Sequence, residues 1–427
     1  GRPARCAGTG LGSVWPHDPA GSTRPLSPGR AALAGADAKA HANLFWSVYE
    51  MKTEQLNERH IPFSSLRSST EAFIDYAIPE CSPKYNYALV GPGVSQNAKQ
   101  PVSLREPHGF QVGGVSMPHG RINPPHLHFS CEVFICAKGQ WRIQWGFNPQ
   151  ARHVDIGELD IVSVPTWIYR GFTNIGVDDG FLFTALGRDH TGGILWGQAT
   201  LQAAQAQGVV LTDGYRIVDT RRGDALQVGE QVLQPMEAAD IAALRDWTEA
   251  EMSRRLVRAA DLKFGAHSLI DAVLPGGGAQ LAPVVGLGIS EDRHAEPPVA
   301  KAHGVTLEWL RIPPGCGVLR HRLQDKQVMT VYRGAVELTV QADEGPAQFA
   351  LQGSPDGWDS FAVPSDVWRS LRNTGPHEAW VLLMTAGDHR KRIQWDEQVL
   401  TAAHASGWAH DADGCVAERR FVERAQR

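Results

Sequence analysis

Cysteine is scarce in this chain: six in 427 residues, at positions 6, 81, 131, 136, 316 and 415. They form no CxxC pair and are too sparse for a disulfide scaffold, so a reducing, cytoplasmic setting is expected. Cys131 and Cys136 fall on opposite faces if their segment is a strand, which argues against a bridge between them. Long apolar runs are missing too. No window holds eighteen consecutive apolar residues and the N-terminus lacks the apolar stretch of a secretory signal, so neither a membrane span nor export is expected. Positive charge is not in excess: Lys and Arg number 41 against 46 Asp and Glu, a net charge of −5. No electrostatic footprint for nucleic acid or an anionic membrane results, and neither partner is expected. A P-loop, a G-x-S-x-G elbow and a GxGxxG opening a helix are all absent, which leaves nucleotide and serine-hydrolase chemistry without a foothold.

The composition that remains is that of a folded protein, 42 % hydrophobic and 20 % charged, on a chain long enough for two or three domains. Glycine (44) and proline (27) together make about a sixth of it, above the roughly 12 % of average usage. That excess favours turn-rich β structure. Residues 1–50 differ from the rest. They are rich in Arg, Pro, Gly, Ala and Ser, and Met51 is the first methionine. A translated upstream or vector-derived stretch, an organellar transit peptide and a flexible arm are the three accounts, in that order.

The chain repeats itself. At an offset of 195, His108-Gly109 falls on His303-Gly304, Pro118 and Gly120 on Pro313 and Gly315, His126 on His321 and Gly139 on Gly334. After four extra residues around 341–355 the offset becomes 199, placing Pro165 on Pro364, Asn174 on Asn373, Asp189-His190 on Asp388-His389, and Trp196 on Trp395. Within each copy, short apolar runs such as 132–136, 141–145, 161–164 and 181–186 are punctuated by Gly and Pro, a strand pattern at barrel spacing. Each copy closes with a helical stretch, 198–207 and 397–405, capped by Gly208 and Gly407. Between the copies, Ile241, Leu244, Trp247 and Thr248 recur at helical spacing, so 235–258 is expected to be one packing helix. The expected divisions are a first β domain at 51–215, a helical linker at 216–265 and a second β domain at 266–427.

The first copy contains G-x5-H-x-H-x3-E-x6-G from Gly120 to Gly139. His126 and His128, two apart, leave one face of a strand, and Glu132 shares that phase. Two imidazoles and a carboxylate in one apolar neighbourhood form a 2-His-1-carboxylate set, which leaves positions open on a divalent cation. The segment resembles the first motif of the cupin superfamily. Gly157 to Asn174, with Pro165 and Asn174 in register, is similar to the second motif, and the duplication makes the chain look like a bicupin. The resemblance covers about 245 residues and implies a mainly β fold of two tandem jelly-roll barrels with short flanking helices. It also implies a metal or ligand site inside a barrel mouth.

Where a third ligating histidine usually stands in the second motif, this chain has Arg170, and Arg369 in the second copy. Arg170 either clamps an anionic group of a substrate beside the metal or pairs with Glu132 and closes the barrel. The second copy keeps His321 but has Leu323 for His128 and Gln327 for Glu132, so its barrel is expected to be structural, dimer-forming or regulatory. Strand phase places Trp141 and Trp145 inward, with Phe134 sharing the phase of Glu132. Trp141, Trp145, Phe134 and Arg170 are therefore the expected substrate contacts, suited to an aromatic or apolar acid, although each aromatic could simply fill the barrel. His190 and His389 read as hydrogen-bonding residues rather than ligands.

The expected activity is that of a mononuclear Fe(II) dioxygenase acting on a small acid, since bicupins similar to gentisate and hydroxynaphthoate dioxygenases act in that way. Mn, Co, Ni or Zn could take the place of iron. An isomerase or lyase using the metal as Lewis acid, and a non-catalytic bicupin that binds a small molecule, are the alternatives. A homo-oligomer is expected from the resemblance.

Overall fold

The computed structural model describes residues 51–146 and 152–425; the atypical 1–50 stretch lies outside the described residues. The described chain is mainly β and forms two tandem barrels of the cupin type, with short helices at their flanks. No described helix is long and apolar enough to cross a membrane.

In the first barrel, an eight-stranded sheet contains Ile161–Val164, Glu132–Lys138, Gly180–Gly187, Phe110–Met117 and Tyr85–Val90 side by side. A five-stranded sheet runs Ile194–Trp196, Ile122–His128, Tyr169–Asn174, Trp141–Trp145 and His153–Ile156. Period-two alternation assigns their faces. Phe134 and Cys136 point into the first barrel and share a core with Trp141, Ile143, Trp145, Phe172 and Leu182 from both sheets. Val133, Ile135 and Ala137 point the other way, into a second core built with Leu307, Trp309, Val328 and Met384 of the second barrel. One strand thus serves as barrel wall and as barrel-to-barrel interface. Between Lys138 and Trp141 the chain turns at Gly139, whose φ of +89° suits glycine and whose added Cβ would crowd Gly180 at 3.2 Å. Asn174 and Asn373 lock equivalent corners, the former donating to the Met117 and Asp178 carbonyls and the latter to those of Ile312 and His377.

The duplication reaches further than its glycines and prolines suggest. Helices Thr53–Asn57 and Glu249–Ser253 stand 196 residues apart, as do Arg59 and Arg255, Ile74-Asp75 and Ile270-Asp271, and Pro79 and Pro275. Each copy lends its first strand to the other copy's barrel. His60–Ile61 pairs with Ser360–Val363 of the second barrel, while Leu256–Val257 pairs with Ile161–Val164 of the first. Arg59 donates to the Ala362 carbonyl and Arg255 to that of Ser163, and Met51 and Leu56 belong to the second barrel's core. Strand pairing therefore crosses the expected divisions at 215 and 265. The packing helix expected at 235–258 is instead two short ones, Ala238–Ala243 and Glu249–Ser253. Thr248 accepts from the Glu251 amide while Glu251 accepts from the Thr248 amide, a capping box that requires extended backbone at Thr248 and starts a new helix there. The terminal helices fall where expected, at Gln198–Ala206 and Glu397–Ala405, with Gly208 and Gly407 left-handed beyond them.

Candidate metal centre

His126 and His128 sit on Ile122–His128, held between Tyr169–Asn174 and Ile194–Trp196. Glu132 does not continue that strand, as its phase alone implied. Phe129–Cys131 carries the chain from the five-stranded sheet to the eight-stranded one, and Glu132 is the first residue of the next strand. The three side chains thus converge from two sheets across the barrel. Their ligand atoms lie within 4.8 Å of one another, and all three residues are buried. A bulge helps aim the first two. Register slips between Arg170 and Phe172, where Gly171 lets the Asn123 carbonyl come within 2.7 Å of where a Cβ would be.

His126 Nδ1 lies 2.9 Å from the Pro124 carbonyl oxygen. Donation there puts the proton on Nδ1 and leaves the Nε2 lone pair facing the centre. That Nε2 is 3.0 Å from Nε2 of His128, which is 3.4 Å from Glu132 Oε2. The Nδ1 of His128 is buried without a partner. Burial pushes His126 down to about 3 and His128 well below the usual imidazole range, with Arg170 adding to both shifts. Burial also raises Glu132 to about 7, against the pull of Arg170. Two neutral imidazoles with nitrogens 3.0 Å apart fit two neighbouring corners around a six-coordinate cation with bonds of about 2.1 Å. The donor set suits a divalent metal.

Arg170 is fully buried and does not open onto the cavity beside these ligands. Its Nη1 reaches Glu132 Oε2 at 3.4 Å, its Nη2 donates to the Pro165 carbonyl at 2.6 Å, and the Ile168 carbonyl accepts at 3.3 Å. Arg369 repeats the pattern, with Nη2 3.3 Å from Gln327 Oε1 and Nη1 3.4 Å from the Val367 carbonyl. In both barrels the arginine ties the second-motif turn to the strand bearing residue 132 or 327. Trp141, Trp145 and Phe134, expected as substrate walls, lie in the closed core instead. Their inward phase is as expected, but none of the three lines the cavity.

The cavity, about 80 Å³, is bordered by His126, His128, Glu132, Phe172 and Trp196 and by residues from the earlier part of the chain, among them Phe73, Tyr87, Asn86, Gln100 and Asn123. Among the described residues, no lysine or arginine lines it. Sequence reasoning placed these residues in the first β domain but found no motif among them that set them beside the ligands, and so missed this wall. The Trp196 to Trp395 match was the available signal for one of its members.

The second barrel has no such set among the described residues. His321, Leu323, Gln327 and Arg369 are all buried. Glu308 stands where the first copy has Gly113; its Oε1 accepts from the Ile289 amide at 2.9 Å, and burial raises it to about 8. A buried carboxyl thus stands in the second barrel where the first has only glycine backbone. Asp189 and Asp388 accept from the amides of His108-Gly109 and His303-Gly304, so the aspartate, rather than His190 or His389, is the repeated structural group. The five cysteines in the described residues are free thiols.

No family model matches the chain, and no curated protein matches it. Three solved structures are similar to it at low identity. Vicilin from Corylus avellana (hazelnut) is 11 % identical, with TM-score 0.45 over 79 % of this chain and 88 % of its own. Oxalate decarboxylase of Lactobacillus farciminis, in a formate complex, is 13 % identical, with TM-score 0.48 over 80 % and 89 %. Oxalate decarboxylase of Bacillus subtilis at pH 4.6 is 13 % identical, with TM-score 0.44 over 78 % and 77 %. Likeness at this level carries nothing about chemistry. The bicupin fold stands on the chain's own duplicated barrels, strand order and Gly120–Gly139 motif.

Proposed function

We propose that this protein is a metal-dependent bicupin enzyme with one working centre, in the first barrel, where His126, His128 and Glu132 hold a divalent cation. The observation that carries the reading is the convergence of two neutral imidazole nitrogens, 3.0 Å apart, and a carboxylate at the end of a cavity. Fe(II) is the preferred ion and dioxygenase the preferred reaction, because a 2-His-1-carboxylate set leaves open positions for substrate and dioxygen. When bound, the cation supplies Lewis acidity and those open positions. The protein's own part is to fix the His126 tautomer through the Pro124 carbonyl, to hold Glu132 against Arg170, and to keep the centre inside a barrel.

The cavity volume favours a small substrate. An aromatic acid, the first expectation, needs more room: a cavity of about 150 Å³ accommodates benzene, and this one is about 80 Å³. A short aliphatic acid or hydroxy compound fits better, anchored by the cation because no lysine or arginine among the described residues lines the wall. The second reading is a lyase or isomerase that uses the metal as a Lewis acid without dioxygen. Metal content of protein purified without added metal, compared with H126A/H128A, tests the centre. About one metal per chain that is lost in the variant supports it, and no metal even after anaerobic Fe(II) or Mn(II) loading refutes both enzyme readings. Oxygen uptake with a panel of short acids then separates the two.

A further inference from the structure

The two barrels treat one repeated tryptophan differently. Trp196 and Trp395 both stand beside the histidine of their barrel, with ring centroids 5.4 Å from His126 and 5.4 Å from His321. In the second barrel the Trp395 indole N–H donates to Glu291 Oε1 at 2.8 Å, while the other carboxylate oxygen accepts from the Ile270 amide at 2.8 Å. The first barrel has Gln96 at the position of Glu291, on an equivalent turn: the Gln96 amide donates to the Ala72 carbonyl as the Glu291 amide does to that of Ser268. The Ile74 amide donates to Gln96 Oε1 at 3.0 Å, so the carboxamide must present its NH2 where Glu291 presents an acceptor. A donor cannot satisfy the indole. Gln96 Nε2 and Trp196 Nε1 are both buried without a partner, and Trp196 is 1 % exposed on the cavity wall. Two buried donors left unmatched are costly unless an acceptor comes to them.

We propose that Trp196 and Gln96 form an oxygen-acceptor subsite in the first barrel, which takes a carboxylate or carbonyl oxygen of the substrate beside the metal centre. The second barrel closes the same place internally with Glu291. The substrate class is thereby a small molecule with two oxygen functions, one for the cation and one for the two N–H donors. The subsite rests on the metal reading only for the first of these.

The test uses the 15N-labelled full chain, with the Trp196 and Trp395 indole resonances assigned through W196F and W395F, and acetate as the probe, with chloride as the salt control. In the wild type the Trp395 indole proton is expected downfield and unresponsive, whereas that of Trp196 moves downfield and saturates as acetate is added. In Q96E the new carboxylate can accept from Trp196, so the resonance starts downfield and acetate binds at least about tenfold more weakly. Q96L, which cannot supply the acceptor, keeps the resonance upfield and also weakens acetate; it guards against misfolding of Q96E. A Trp196 resonance indifferent to acetate, or a Q96E response equal to wild type, overturns the subsite. The titration is run without metal and with Zn(II) added, metal content being measured separately. An acetate response in protein that never takes up metal refutes the metal centre and keeps the subsite, while the reverse result does the opposite.

Discussion

Arg170→Met should separate the charge chemistry of the first barrel from its architecture, because Arg369→Met is an internal control. Both arginines are buried, both tie down carbonyls of the second-motif turn, and methionine preserves most of the buried stem. Loss of the turn hydrogen bonds should cost each variant about 1–3 kcal/mol. Only Arg170 faces a carboxylate, at 3.4 Å; Arg369 faces the neutral amide of Gln327. Breaking a buried ion pair costs about 3–5 kcal/mol in all, so without metal the first variant should lose about 2 kcal/mol more than the second. Urea unfolding at pH 8, where Glu132, raised to about 7, is mostly ionised in the wild type, measures the difference. A divalent cation supplies the missing positive charge and should recover most of the excess loss in Arg170→Met, with no such rescue in Arg369→Met. It should also bind Arg170→Met at least as tightly as wild type, because a neighbouring guanidinium repels it. Equal destabilisation of the two variants, with no metal-dependent recovery of the first, would refute the pairing of Glu132 with either cation.

Other outcomes follow from the same geometry. Glu132 has a folded pKa raised from 4.5 to about 7, so cation uptake below pH 7 must expel its proton. Metal affinity measured by competition should therefore rise about tenfold per unit from pH 5 to 7 and then level, both imidazoles being neutral throughout that window. The same shift makes the metal-free fold less stable as pH rises from 4.5 through 7, since the folded state holds the proton more tightly than the unfolded one; Glu132→Gln should remove that component from a urea-midpoint against pH profile. His321→Ala should leave metal content unchanged, whereas His126→Ala should abolish it on elemental analysis. Leu56→Ala, at 0 % exposure in the second barrel's core, should cost about 2–5 kcal/mol while metal affinity stays at the wild-type value. Met252→Ala, its counterpart in the first barrel's core, should instead lower metal retention.

Much of the protein was legible in one dimension because its determinants are local or periodic. Strand phase placed Phe134, Trp141 and Trp145 inward, glycine caps marked both terminal helices, and one spaced motif brought His126, His128 and Glu132 together. The missing histidine and carboxylate at positions 323 and 327 marked the second barrel as different. Failures came where one pattern admits two environments. An inward tryptophan can line a cavity or fill a core, and the residues it packs against decide; for Trp141 and Trp145 these are Phe172, Ile143 and the helix residue Met252. An arginine at a ligand position can face the substrate or the scaffold, and the carbonyls of Pro165 and Ile168 draw Arg170 to the scaffold.

The amino-acid sequence by itself determined a duplicated, mainly β chain and the identity of one candidate ligand set, since alternation, turns and short-range spacing are properties of the backbone period. Tertiary structure decided what long-range contact decides: that each copy lends a strand to the other, that the cavity wall comes from residues 72–123 as well as from the motif, and that Glu308 is buried in the second barrel against the Ile289 amide. The few cysteines, with no disulfide among the described residues, leave this to packing. Burial of a shared apolar face, formed only when both barrels are present, holds the two copies together.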